Sequence, residues 1–160
     1  MKTKISEEDE KKVKIMNALP FFKTFSDDEL FTILNSSRWL KFSPGDFIVK
    51  EGETDNSFYI VLKGSVTIQK RTGVGNFRKP LSTLSTGHCF GEMSVITGNP
   101  RTADVTTNEQ TFLLRLDAET LNSETESLEF KSIQLKFYKI FSEILADRLN
   151  ALAEKFVRPV

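Results

Sequence analysis

From Trp39 onward the chain is punctuated by turn residues. Pro44-Gly45, Glu51-Gly52, Lys63-Gly64, Gly73 to Gly75 and Gly87 recur every several positions. Between them the hydrophobic period changes from helix-like to strand-like, which leaves room for short strands. Residues 47–49, 58–62, 65–70 and 105–116 are the strongest candidates, rich in aromatic and β-branched side chains. Short strands at this spacing predict an all-β sandwich or barrel. Residues 70–80, polar and holding two glycines, are expected to form a mobile hairpin connection.

Helical signals flank this region. Val13, Met16 and Leu19 are spaced for one helical face, and Ser6 with Asp9 supplies an N-terminal cap. After the break at Pro20-Phe21-Phe22, Ser26 and Glu29 make a capping box, and Phe25 with Leu30 makes the hydrophobic staple around it. That second helix should run to about Ser36 and pack Leu30, Ile33 and Leu34 inward. Residues 127–160 contain no proline or glycine until Pro159 and predict a long terminal helix with two apolar stripes. One runs through Phe130, Ile133, Phe137, Ile140 and Ile144 and continues past Asp147 to Ala151. The other is Phe141, Leu145, Leu149, Leu152 and Phe156. One stripe can cover the β-domain, and the second is expected to serve a homodimer. The division is therefore an N-terminal helical segment at 1–38, the β-domain at 39–118 and a C-terminal helical segment at 119–160.

Composition narrows the chemistry. With 160 residues and 39% hydrophobic content there is material for a single core. A formal net charge of zero gives no electrostatic reason to expect nucleic acid or an anionic membrane as partner. Cys89 is the only cysteine, so an internal disulfide is impossible, in keeping with a reducing cytoplasm. A metal-dependent β-barrel enzyme needs several imidazole ligands, and His88 is the only histidine. In extended backbone His88 and Cys89 would point to opposite faces, so no metal site is expected. The first residues are too charged for a signal peptide, and no apolar run reaches membrane-spanning length.

The chemistry concentrates in residues 90–103, F-G-E-M-S-V-I-T-G-N-P-R-T-A. Gly91 permits a tight turn and close approach to the main chain, leading into one helical turn at 92–96 whose free N–H groups suit an oxyanion. Arg101, beyond the Gly98-Asn99-Pro100 turn, can return to the same point and offer a planar fork to phosphate oxygens. Glu92 would repel a phosphate, and a neighbouring sugar hydroxyl is its better partner. Phosphate and ribose together mean a nucleotide. The same two side chains could instead form an exposed ion pair across a surface turn.

This stretch resembles, without insertion or deletion, the phosphate-binding cassette of the cyclic nucleotide-binding domain found in cyclic nucleotide-dependent kinases, cyclic nucleotide-gated channels and catabolite activator proteins. The resemblance extends from about Leu19 into the C-terminal helix. It implies a mainly β fold with flanking helices, an eight-stranded jelly-roll β-barrel with the cassette inserted between two strands. It also implies a binding set of Gly91, Glu92, Met93, Ser94, Arg101 and Thr102, with Glu92 on the ribose 2′-hydroxyl, Arg101 on the cyclic phosphate and main-chain N–H groups around Met93 and Ser94. The ligand implied is cAMP or cGMP, with no other cofactor.

Thr102 occupies the position at which cGMP-preferring kinases resemble this sequence, and channel members that respond to cAMP share it. Asp104 departs from the pattern, and facing the pocket it would repel the phosphate. The chain ends at Val160, shortly after the long helix, so the expectation is a non-enzymatic cytoplasmic sensor without a DNA-reading module. It would pass its signal to a second copy or a protein effector. The alternative is a ligand-free interaction module of the same fold, acting through the C-terminal helix.

Overall fold

The computed structural model describes residues 5–158, Ser123 excepted. The signal-peptide question at the first residues and the predicted helical end at Pro159 and Val160 lie outside the described residues. By contact density the chain divides into two units, 1–120 and 121–160.

The first unit opens with α1 (Glu7–Asn17), where the Ser6 hydroxyl accepts from the Asp9 N–H. A 3-10 turn at Pro20–Phe22 leads to α2 (Asp27–Asn35), which begins with the expected reciprocal capping box of Ser26 and Glu29. Val13, Met16 and Leu19 from the first segment and Leu30, Ile33 and Leu34 from the second are buried with Phe21, Phe22 and Phe25. Edge-to-face contacts of Phe22 with Phe21 and Phe25, at 5.1 and 5.9 Å between centroids, fill this small aromatic core.

The β-region consists of β1 (Ser37–Phe42), β2 (Phe47–Val49), β3 (Ser57–Lys63), β4 (Ser65–Arg71), β5 (Arg78–Ser85), β6 (Cys89–Phe90), β7 (Asp104–Thr107) and β8 (Thr111–Asp117). They form two antiparallel four-stranded sheets, β1-β8-β3-β6 and β2-β7-β4-β5. This corrects the expected closed barrel. No strand of one sheet pairs with a strand of the other among the described residues, and β2 and β6, three and two residues long, are too short to carry a ladder across the gap. Between the sheets lies a core of Val49, Tyr59, Val61, Val66, Leu84, Phe90, Val105 and Leu113.

Residues 105–116, expected as one strand, form two. Asn108, Glu109 and Gln110 are exposed, and there the chain leaves one sheet for the other. The Asn108 N–H donates to Ser65 O, and the Thr111 hydroxyl donates to Ser65 O or Glu109 O. The 70–80 connection is shorter than expected. β4 and β5 pair from Ser65↔Ser85 to Arg71↔Arg78, leaving residues 72–77 as the link. Pro80 is tolerated because β5 is an edge strand, where a missing donor costs no ladder bond.

In the second unit, α5 (Leu128–Val157) follows the short helix α4 (Ala118–Asn122), whose last residues belong to this unit, and is capped by Ser127. Its buried residues are Ile133, Phe137 and Phe141. They come from both sequence stripes, because a straight helix with 3.6 residues per turn drifts across any strict three-four spacing. Leu149, Leu152 and Phe156 are 66, 51 and 84% exposed.

Candidate functional site

β6 ends at Phe90, whose ring stacks on Tyr59 at 5.0 Å. Gly91 then takes φ +88° and starts α3 (Glu92–Thr97), which Gly98, also left-handed, closes by donating its N–H to Ser94 O. The glycine at 91 is required twice over. Its φ is closed to most side chains, and a Cβ there would stand 2.7 Å from both Arg101 Nη1 and Ser57 O.

Arg101 is bracketed through its main chain. Its N–H donates to Glu53 O and its carbonyl accepts from Gly52 N–H, both at 2.8 Å. This fixes where the side chain starts, and the side chain then runs inward, 4% exposed. Nη1 donates to Gly91 O at 3.2 Å and Nη2 to Ser57 O. Asp55 Oδ2 lies 3.4 Å from Nη2, while the buried Nε has no hydrogen-bond partner among the described residues. The guanidinium thus reaches the mouth of α3 beside buried Glu92 and Ser94, 1 and 5% exposed. Met93 is 47% exposed, and Thr102 is exposed.

Asp55 joins Arg101 to a second cation. Arg115 Nη2 is 3.4 Å from Asp55 Oδ1, and Arg115 Nε donates to Ser57 Oγ and Asp117 Oδ1 at 2.9 and 3.2 Å. Ser57 Oγ is 2.7 Å from Asp55, and the Tyr59 hydroxyl donates to Asp55 at 3.4 Å. Partial burial alone would raise the Asp55 carboxyl. The Ser57 hydrogen bond and the two arginines outweigh it and hold the group below its ordinary value. Burial is also the main reason the Tyr59 phenol is shifted upward. A recess of about 300 Å³ lies over this network, lined by Asp55, Asn56, Ser57, Arg115, Asp117, Ala118 and Glu119.

Asp104, expected as a possible source of repulsion, is instead neutralised. Its side chain is inaccessible to solvent, Oδ1 accepts from Glu51 N–H at 2.7 Å, and Oδ2 accepts from Arg78 Nε. Burial pushes its carboxyl up, but the Glu51 N–H, Arg78 and more distant Arg71 together pull it below the usual range. His88 is exposed, just before β6, and Cys89 is buried. Among the described residues no group of three or more His, Cys, Asp or Glu could hold a metal ion.

Asp55, Ser57, Arg78 and Arg115 carry no motif of their own. Their partners lie up to 60 residues away in sequence, and only the sheet pairing brings them together. Asp104 stood out in the sequence as a departure from the pattern, but the burial that makes it need a cation is set only by the fold.

The β-domain is thus a pair of antiparallel sheets carrying a short helix between two left-handed glycines, with a buried arginine folded back onto its start. Residues 39–127 match the family model described as the cyclic nucleotide-binding domain, and the chain belongs to that family. It is 28% identical over 122 residues to cGMP-dependent protein kinase 2 of Homo sapiens, covering 76% of this chain and 16% of the kinase. It is 34% identical over 110 residues to cyclic nucleotide-gated channel beta-3 of Homo sapiens, covering 67% of this chain and 13% of the channel. Among solved structures, the regulatory domain of Toxoplasma gondii PKA with cAMP is similar, with a TM-score of 0.68 and 24% identity over 84% of this chain and 50% of that one. The chain therefore spans a small fraction of these curated relatives, and the likeness to the solved structure is one of fold. No helix of the described residues is long and apolar enough to cross a membrane.

Proposed function

We propose that the chain is a non-enzymatic, cytoplasmic sensor of a 3′,5′-cyclic mononucleotide, cAMP or cGMP. Arg101 would hold the cyclic phosphate with main-chain N–H groups at Met93 and Ser94, Gly91 would give the phosphate access to the backbone, and Glu92 would accept from the ribose hydroxyl. Thr102 would contact the base. The observation that carries this reading is the buried Arg101 fork at Gly91 O, with its Nε still unpartnered. A buried guanidinium beside a turn of main-chain donors suits a phosphate dianion or monoanion better than any neutral ligand. In this division of labour residues 39–118 bind ligand, and the flanking segments 1–38 and 119–160 respond.

The relay would run through α5. A ligand preferring one arrangement of that helix by roughly 1.4 kcal/mol shifts the ratio of arrangements tenfold. The exposed Leu149, Leu152 and Phe156 favour a homodimer through α5, since apolar residues at helical spacing gain most from a second helix. They also favour the alternative reading, a ligand-free interaction module, so nucleotide binding is the decisive measurement.

The test is calorimetric titration with cAMP and then cGMP of protein unfolded and refolded to remove carried-over nucleotide. Micromolar or tighter binding is expected, and Arg101→Ala should weaken it by about 2–5 kcal/mol. Thr102→Ala should weaken cGMP more than cAMP. Folded protein that releases no heat and gains no thermal stability with either nucleotide would favour the interaction module.

A further inference from the structure

We infer that Asp104 and Arg78 form a latch by which the β4–β5 hairpin controls the position of Arg101, and with it nucleotide affinity. The affinity part of this inference rests on the proposed function. Val105 belongs to the core between the sheets, so by alternation Asp104 points to the outer face of its sheet. There its carboxylate is nevertheless inaccessible to solvent, because Arg78 reaches over from edge strand β5 to bond it. The same guanidinium lies 5.2 Å from the centroid of the Phe47 ring on β2. Arg78 thereby spans the sheet from one edge strand to the other.

The other oxygen of Asp104 holds Glu51 N–H at 2.7 Å. The next residue, Gly52, donates to Arg101 O, and Glu53 O accepts from Arg101 N–H. One carboxylate therefore fixes the turn that brackets the main chain of Arg101. A second strap comes from the same hairpin: Arg71 N–H donates to Glu51 Oε2 at 3.0 Å, and Lys70 Nζ donates to Thr102 O at 3.1 Å. The charged groups around Asp104 are thus Arg78, Arg71, Glu51 and Lys70, and Arg78 alone of the basic ones bonds it.

Without Arg78 the buried carboxylate either stays charged and uncompensated or takes up a proton and becomes a poorer acceptor for Glu51 N–H. In both cases the 51–53 turn loosens. Arg78 begins directly after the exposed 72–77 link, so anything that binds or displaces this hairpin acts on the latch from outside the nucleotide pocket.

Amide hydrogen exchange of nucleotide-free protein reads the latch without reference to any ligand. Arg78→Met should speed exchange at Gly52 and Arg101 at least about fivefold relative to the core strands, while Arg78→Lys, which keeps the charge, should stay near wild type. Arg78→Met/Asp104→Asn should recover, because an amide oxygen accepts the Glu51 N–H with no charge to neutralise. Calorimetry on the same proteins should show nucleotide affinity falling at least about fivefold and recovering in parallel. Unchanged exchange at Gly52 and Arg101 in folded Arg78→Met, or a uniform rise across all amides, overturns the latch. Faster local exchange with unaltered affinity overturns its control of binding. Wild-type protein that binds neither nucleotide refutes the proposed function and the affinity part of the inference, while the exchange pattern still decides the latch itself.

Discussion

Residues 91–104 and the last turns of α5 treat their side chains in opposite ways. The first stretch buries charge: Glu92, Arg101 and Asp104 are 1, 4 and 0% exposed. The second exposes hydrocarbon at Leu149, Leu152 and Phe156. Burying an ion costs several kcal/mol unless hydrogen bonds and counter-charges return it, which explains why Arg101 and Asp104 draw in backbone groups and ions from residues 51–55, β3 and β5. Exposed apolar groups carry no such demand on their own chain, and their stabilisation is available only to an added surface. Buried charge thus marks where the protein has already organised itself, and exposed hydrocarbon marks where it is open to company.

Changes in the first region should be felt throughout the fold. Gly91→Ala combines a left-handed backbone angle with a Cβ 2.7 Å from Arg101 Nη1 and from a main-chain oxygen. Neither can be relieved by a rotamer change at residue 91, and thermal or urea unfolding should show a loss of about 2–4 kcal/mol. A loss under 0.5 kcal/mol would mean that the cassette is more pliable than its packing implies.

Acid should act on the same region with smaller effect. Asp55 and Asp104 both have folded-state values lowered from 3.8. A carboxyl whose folded value is depressed contributes stability above its unfolded value and loses that contribution as pH falls through the folded one. The urea midpoint should therefore hold near neutrality and decline below about pH 4. Arg78→Met should start from a lower midpoint near neutrality and decline less steeply in acid than wild type, since Asp104 then lacks the cation that depresses its folded value and contributes less to the loss. Coincident curves for the two proteins would separate Asp104 from acid stability.

The smallest effect on stability belongs to α5. Leu149→Lys/Phe156→Lys should leave unfolding within about 0.5 kcal/mol of wild type, while light scattering at tens of micromolar should change from dimer to monomer. A wild-type monomer at that concentration would break the contrast, leaving the exposed stripe without its second copy.

What could be read in advance was local in sequence. The Ser26–Glu29 capping box involves residues three apart, and each of its bonds forms as expected. β2 was bounded by its own turn signals. The helical turn after Gly91 followed from the conformational freedom of a single residue. What could not be read was non-local. Residues 105–116 read as one strand although Asn108-Glu109-Gln110 interrupts them with polar side chains; that the two halves join different sheets depends on pairing with distant strands. β5, with Arg78, Lys79, Pro80 and Leu81 exposed, lacks the half-buried pattern from which strands are recognised, being an edge strand. Asp104, read as a source of repulsion, is neutralised by a cation 26 residues earlier in the sequence.

The place of β8 has a consequence for the order of assembly. β8 lies between β1 and β3, pairing Ser37 with Leu116 and Ser57 with Asp117. Until residues 111–117 leave the ribosome, the first two strands of that sheet have no common neighbour and present open edges, the kind of surface that recruits other chains. The aromatic α1–α2 core can form early from local contacts, whereas the sheet waits for one of its last strands. Synthesis across this interval is when the chain is most exposed to aggregation, and a pause that leaves Asp117 outside the exit tunnel should yield a nascent chain far more resistant to protease than one that still holds residues 111–117 inside it.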